Sequence, residues 1–272
     1  MTRRAMIAPV RRRSADGVAA DQDLVAAEAP LSLAVRTSGD TPAHRLGILM
    51  RTPGDDEDLV AGVLHAEGVI GRFDDVERLD RTPASDDVAE AITAVLAPHV
   101  RWTPRAERGL SATSACGLCG RLEMLAVDPA RACPPGAPTI TAAAIEALPA
   151  RLRRGQAVFD ETGGLHAAAL VDLGGTRDLV REDVGRHNAV DKAIGAALAR
   201  GWLPGHRFAL AVSGRVAYEI VQKAVVAGVP VVVAVGAPSS LAVEAARATG
   251  LTLVGFVRDG RFNVYAGWDR VV

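Results

Sequence analysis

The chain has 272 residues, 49% of them hydrophobic, which is enough for one large domain or two modest ones with proper cores. Lys+Arg 31 against Asp+Glu 32 leaves a net charge of -1, and aromatic residues make up only 4%, a balance that excludes a general nucleic-acid or base-stacking surface. No apolar run approaches the roughly 18 residues of a membrane span, and an odd count of three cysteines argues against a disulfide framework, so a soluble protein of a reducing, cytoplasmic compartment is expected.

Residues 1–22 carry Arg3, Arg4, Arg11, Arg12 and Arg13 among Ala, Ser and Asp, without the apolar centre of a secretory signal; they predict a disordered basic tail. A first domain is expected over 23–135, with order beginning near Glu28. Leu31, Leu33 and Val35 alternate with smaller residues as in a strand, and 45–51 offers a second strand. The 52–55 loop then starts a helix whose buried stripe is Leu59, Val60, Val63 and Leu64, with Asp56, Glu57 and Asp58 in its first turn and Gly68 closing it. Two amphipathic segments follow near 76–79 and 88–96. From 105 to 119 periodicity gives way to Gly, Ser and Thr, a loop, and Pro134, Pro135 and Pro138 mark the domain boundary.

The second domain, 136–272, is more regular. A helix over 141–153 precedes a hairpin of 166–173 and 178–183, joined at Gly174-Gly175. Then come a helix over 188–200, a strand over 208–212, a helix near 217–227 and the apolar run 229–235, which reads as a central parallel strand. A helix over 239–249, capped by Ser239 and ended by Gly250, leads to strands 251–258 and 261–265 around Asp259-Gly260, a strong hairpin signal. This order predicts an α/β fold, a mixed N-terminal domain plus a three-layer α/β/α C-terminal domain.

The sharpest chemical feature is Cys116-Gly-Leu-Cys119. A glycine-rich loop can offer backbone N–H groups to a thiolate, and Arg121 adds positive charge, so a reactive pair able to carry and release a persulfide is one reading. Half of a zinc site, which needs two more ligands, and two small loop-filling residues are the others; a thioredoxin-like motif lacks its βαβ context. His65-Ala66-Glu67 with the cysteine pair is reminiscent of zinc nucleoside deaminases, but Ala115 replaces the expected proline and His65 ends a helix.

Three turns of the second domain suit an anion. Gly185 leads into a helix entry flanked by Arg186 and His187, with Lys192 one turn on. Ser213-Gly214-Arg215 and 236–240 follow two successive strands, where α/β sheets bind ligands, and the final turn adds Arg258 and Arg261. Ordinary strand-to-helix turns use the same small residues.

Together these motifs resemble the formate dehydrogenase accessory sulfurtransferase family (FdhD) from Glu28 to the C-terminus. The resemblance rests on Glu28-Ala-Pro-Leu31, Thr52-Pro53-x-Asp55, Glu67-Gly68-Val69-Ile70 and Ser114-Ala115-Cys116-Gly117-Leu118-Cys119-Gly120. It continues through Gly185 to Gly195, Ser213-Gly-Arg215 with Glu219 and Lys223, Ala237-Pro-Ser-Ser-Leu241, Gly255-Phe256 and Phe262-Asn263-x-Tyr265. It implies a sulfurtransferase that takes persulfide sulfur from a cysteine desulfurase on Cys116, with Cys119 as its partner. The acceptor is the molybdenum (or tungsten) bis(molybdopterin guanine dinucleotide) cofactor needed by formate dehydrogenase. Phe256, Val257, Arg258, Asp259, Gly260 and Arg261 would form the cofactor site with Arg186 and His187. The resemblance further implies a cytidine-deaminase-like C-terminal half and a homodimer. A cofactor chaperone without sulfur transfer would use the same pocket.

Overall fold

The computed structural model describes residues 4–15, 17–37, 42–85, 88–102, 133, 138–175 and 177–272. Cys116, Cys119 and Arg121 lie outside the described residues, as does most of the stretch expected to hold the domain boundary.

The N-terminus differs from the tail expected there. Strands β1 (Ala5–Ser14) and β2 (Gly17–Ala26) pair antiparallel, from Ala5 opposite Ala26 to Ser14 opposite Gly17. Both strands are largely exposed on both faces, so no core imposes an alternating apolar pattern, and the sequence carries no strand signal. The ribbon is tied down at its open end, where the Ala27 N–H donates to the Arg4 carbonyl and Arg4 pairs with Asp55 at 2.6 Å.

The next sheet has the order β4-β3-β6-β5, built from β3 (Ala29–Arg36), β4 (His44–Arg51), β5 (Val76–Thr82) and β6 (Glu90–Leu96). The expected alternation holds in β3, with Leu31, Leu33 and Val35 fully buried; the two amphipathic segments are strands β5 and β6. Helix α1 (Asp56–Ala66) covers one face, packing Leu59, Val60, Val63 and Leu64 against Leu31, Leu33, Ile92 and Leu96. Arg51, almost fully buried, is neutralised by Asp56 at 2.8 Å and Glu90 at 2.7 Å, which ties the helix start to two strands.

The large sheet runs β12-β11-β10-β9-β7-β8. Its strands are β7 (His166–Asp172), β8 (Asp178–Asp183), β9 (Phe208–Val212), β10 (Val231–Ala234), β11 (Thr252–Arg258) and β12 (Arg261–Ala266). The central β9, β10 and β11 are parallel, while β7, β8 and β12 run antiparallel to their neighbours. Helices α4 (Arg186–Ala199), α5 (Tyr218–Val226) and α6 (Ser240–Ala248) cover one face, and α2 (Ala142–Arg153) covers the other. Side chains divide accordingly: Ala168 and Leu170 face α4, while Ala167, Ala169 and Val171 face α2. This is the expected three-layer α/β/α arrangement. A short helix not anticipated, α3 (Ala157–Thr162), follows α2.

The two sheets meet through helices α1 and α4. A Cβ added to Gly62 would lie 1.9 Å from the Asp191 carbonyl oxygen, and one added to Gly195 would lie 1.9 Å from that of Asp58. Only glycine at both positions lets the backbones approach so closely. No helix among the described residues is long and apolar enough to cross a membrane.

Candidate functional site

Strand direction gathers the anion-suited turns. His166 opens β7 opposite Asp183, which ends β8, and Ala168 lies opposite Val212 at the end of β9. Because β10 and β11 run parallel to β9, their carboxyl ends fall on the same edge of the sheet. Along that edge stand the Gly185-Arg186 turn, His166, the 213–216 loop, the 236–239 loop and the Phe256–Arg261 turn, spread over four strand spacings or ~19 Å.

The loops on this edge are stacked on one another. Val216 pairs with Pro238 as a parallel bridge, its N–H donating to Ala237 and its carbonyl accepting from Ser239. A Cβ on Gly236 would come within 2.7 Å of the Gly214 carbonyl oxygen, and Phe256 donates its N–H to the Gly236 carbonyl. Small residues are therefore required by close backbone approach. At Phe256 the β11–β12 register shifts and φ is 56°, so this bulge presents the ring partly to solvent. Asp259 and Gly260 both have positive φ (53° and 67°), the geometry their hairpin signal foretells, and leave Arg258 opposite Arg261.

Helices α4, α5 and α6 all begin at this edge. Gly185 and Ala217, which precede α4 and α5, supply no side-chain cap, whereas Ser239 caps α6 through the Ala242 N–H at 3.3 Å. The first turns of α4 and α5 thus add positive dipole ends beside Arg186 and Arg215. Between these arginines lies His166. Burial, followed by the charges of Arg186 and Arg215, pushes its imidazole below the ordinary histidine range, with Asp183 opposing in part. A neutral ring with one donor and one acceptor results. The Ser213 hydroxyl oxygen accepts the Ala167 N–H at 2.9 Å, fixing its loop to β7.

Two residues expected beside the anion are placed differently. Lys192 is 1% exposed, donates to the Thr52 carbonyl and pairs with Asp183, each at 2.8 Å. It stitches the two halves together and does not reach the edge. His187 is buried as well, with Nε2 3.9 Å from Glu219 Oε2 on α5. Helix α4 also begins earlier than Asn188, at Arg186, because Asp183 organises the turn by accepting the Gly185 N–H at 2.8 Å and the Asn188 side-chain amide at 3.0 Å. Asn188 donates in addition to the Met50 carbonyl, so its work is done in the interior. Asp191 and Lys223 form a further buried pair at 2.6 Å.

Sequence reasoning passed over His166, a single histidine at the head of an apolar strand with no motif around it. His65 is buried at the end of α1, Nδ1 3.3 Å from the Ile70 carbonyl. Cys133 is half-buried; burial raises its thiol above the usual range despite Arg270, which makes it a poor nucleophile near neutrality.

A family model described as the FdhD/NarQ family matches residues 26–272. The chain is 47% identical over 270 residues to the sulfur carrier protein FdhD of Streptomyces coelicolor, covering 95% of this chain and 93% of that one. It is 46% identical over 256 residues to the protein of the same name from Nocardia farcinica, covering 92% and 88%. A crystal structure described as that of a formate dehydrogenase accessory protein from Desulfotalea psychrophila shares the fold, with a TM-score of 0.74, 23% identity and coverage of 98% and 99%.

Proposed function

The chain belongs to the FdhD/NarQ family, and from this premise we propose that it is a sulfur carrier serving formate dehydrogenase in the cytoplasm. The Cys116 thiolate attacks the terminal sulfur of a cysteine desulfurase persulfide. A new sulfur–sulfur bond forms on Cys116 as the desulfurase bond breaks, and the desulfurase cysteine leaves as thiolate. The acceptor is the molybdenum bis(molybdopterin guanine dinucleotide) cofactor, bound as cargo. Attack of Cys119 on the Cys116 sulfur would release hydrosulfide toward that cargo and leave a Cys116–Cys119 disulfide for a cellular dithiol to reduce.

One observation carries the cofactor half of this reading: two helix N-termini without side-chain caps and two arginines, Arg186 and Arg215, converge on one sheet edge around His166. Dipole ends and guanidinium groups together suit the pyrophosphates of a dinucleotide. Arg258 and Arg261 extend the same edge, and the Phe256 ring offers an apolar contact.

The test is incubation with a cysteine desulfurase and labelled L-cysteine, followed by mass spectrometry. The Cys116 peptide is expected to gain one sulfur atom, and Cys116→Ala to abolish both the gain and formate dehydrogenase activity in a cell that depends on this protein. Unchanged activity in that variant would sink the sulfur step. Cofactor binding with no sulfur on any cysteine would make the protein a chaperone.

A further inference from the structure

We propose that the buried cluster of acids and amines between α4 and α5, centred on Asp191 and Lys223, is a proton-linked control on the anion-suited edge. It takes up a proton when a polyanion seats at the starts of these helices and returns it when the anion leaves. The proposal rests on the cofactor reading above and adds a regulation of that same edge.

The two helices are bridged by two rungs of opposite sense. His187 of α4 faces Glu219 of α5 at 3.9 Å, and four residues on in each helix Asp191 of α4 meets Lys223 of α5 at 2.6 Å. Residues four apart are stacked on one helix face, so the first rung lies directly behind the helix starts and the second lies behind the first. The second rung is enclosed, with Asp191 3% and Lys223 7% exposed.

The charges around it do not balance. Asp183, at the end of β8, pairs with Lys192 beside the rung, and Glu67, at the end of α1, adds a further acid. His65 of α1 is turned to the Ile70 carbonyl. The carboxylates of Glu67, Asp183, Asp191 and Glu219 therefore share the ammonium groups of Lys192 and Lys223 and the imidazole of His187. An excess of acids in a desolvated setting favours binding a proton.

The hydrogen bonds decide which carboxylate receives it. Asp183 is saturated with donors, since Lys192, the Thr52 and Gly185 N–H groups and the Asn188 amide all point at it, and its charge is fixed. Asp191 has Lys223 as its one side-chain partner among the described residues. Burial pushes the Asp191 carboxyl up to about 6 against the pull of Lys223, and the charges of Glu67 and Asp183 add to the rise. In the free protein it is mostly a carboxylate at pH 7, with the protonated form close in energy.

Asp191 is the sixth residue of α4, which at 1.5 Å of rise per residue places it roughly 10 Å from an anion seated at the helix start. At that distance and an effective dielectric of about 20, each negative charge on the ligand strengthens proton binding by about tenfold. A pyrophosphate diester carries two such charges, so even with screening the Asp191 carboxyl crosses neutrality as the ligand binds. The proton comes from solvent and stays on a carboxyl oxygen of Asp191, while Lys223 remains an ammonium. Linkage then fixes the sign: the anion binds more tightly as pH falls from 8 to 6.

Calorimetric titration of the full chain with diguanosine pyrophosphate, whose phosphates do not ionise near neutrality, tests the proposal in buffers of different ionisation enthalpy. At pH 7 the wild-type protein is expected to take up roughly half a proton or more per ligand, and its affinity to rise about tenfold from pH 8 to pH 6. His166, on the same edge, could produce a similar buffer dependence, and Asp191→Asn separates the two. That variant should take up far less proton and bind at pH 8 as tightly as wild type does at pH 6. If it does not fold, difference infrared spectra of the wild type carry the test: ligand binding at pH 7 should add the carbonyl band of a neutral carboxyl, and its absence overturns the proposal. Binding without proton uptake, or uptake undiminished in a folded Asp191→Asn protein, overturns it too and leaves the cofactor reading standing. Wild-type protein that binds the probe at neither pH removes both.

Discussion

Lys192 and Asp183 show how a motif residue can look like a ligand and be part of the frame. The ammonium is enclosed by a carboxylate and the Thr52 carbonyl, and the carboxylate also accepts the Thr52 N–H at 3.1 Å. Removing one partner strands the other charge in the interior. Lys192→Met is expected to lower the unfolding free energy by ~3 kcal/mol or more in urea titration, with the loss visible before any effect on ligand affinity. Asp172, at the opposite edge of the sheet, titrates in a way that can be read out. Burial opposes its charge, but the Arg207 hydrogen bonds, the Gly174 N–H and the charges of Arg207 and Arg177 prevail and hold its carboxyl below the usual range. The unfolded chain then binds the proton more tightly than the folded one, so this stabilisation is full above the unfolded value of about 3.9 and is lost as pH falls through the lower folded value. Asp172→Asn should therefore melt lower than wild type at pH 7, with the gap closing under acid; a gap independent of pH would refute the assignment.

At the scale of elements, the crossing of α1 and α4 is the most demanding contact. A methyl at Gly195 must displace the Asp58 carbonyl, which is helix backbone and cannot rotate away. Gly195→Ala is expected to cost ~3 kcal/mol or more by overpacking, measured as a fall in the denaturation midpoint, whereas Gly174→Ala, with open space around it, should cost little. The strands of the large sheet were legible in the sequence because both faces are covered, which writes continuous apolar runs such as Phe208–Val212. Turn chemistry was legible at Asp259-Gly260 for a backbone reason. Helix α3 was not, since six residues with none buried carry no periodicity, and neither was the β1–β2 ribbon, whose two exposed faces leave no alternation to read. Within the candidate site, Arg186, Ser213 and Arg215 could be found from their turns. His166 could not, because its significance depends on which strands and helices become neighbours.

At the scale of the molecule, the two halves behave as one body in the interior. Trp102 packs against the core of the first sheet and Trp202 against that of the large sheet, providing one reporter on each side. Buried ties between Thr52, Met50 and the Asp183–Lys192 stretch couple them. Variants keeping only one of these two tryptophans should therefore show coincident fluorescence transitions in denaturant; two separate midpoints would show that the ties are too weak to enforce cooperativity. The mixture of parallel central strands with antiparallel edges also explains why the anion-suited turns share one edge although they lie far apart in sequence.

The Gly62–Gly195 contact has a consequence for how the chain is made. Its two sides are separated by more than a hundred residues of synthesis, so α1 leaves the ribosome long before the helix that covers it exists. During that interval the groove at Gly62 and the buried polar ends at Thr52 have no native partner, and the nascent first half must wait unfinished. A gene cut between the halves should yield fragments that are insoluble apart and recover only when translated together.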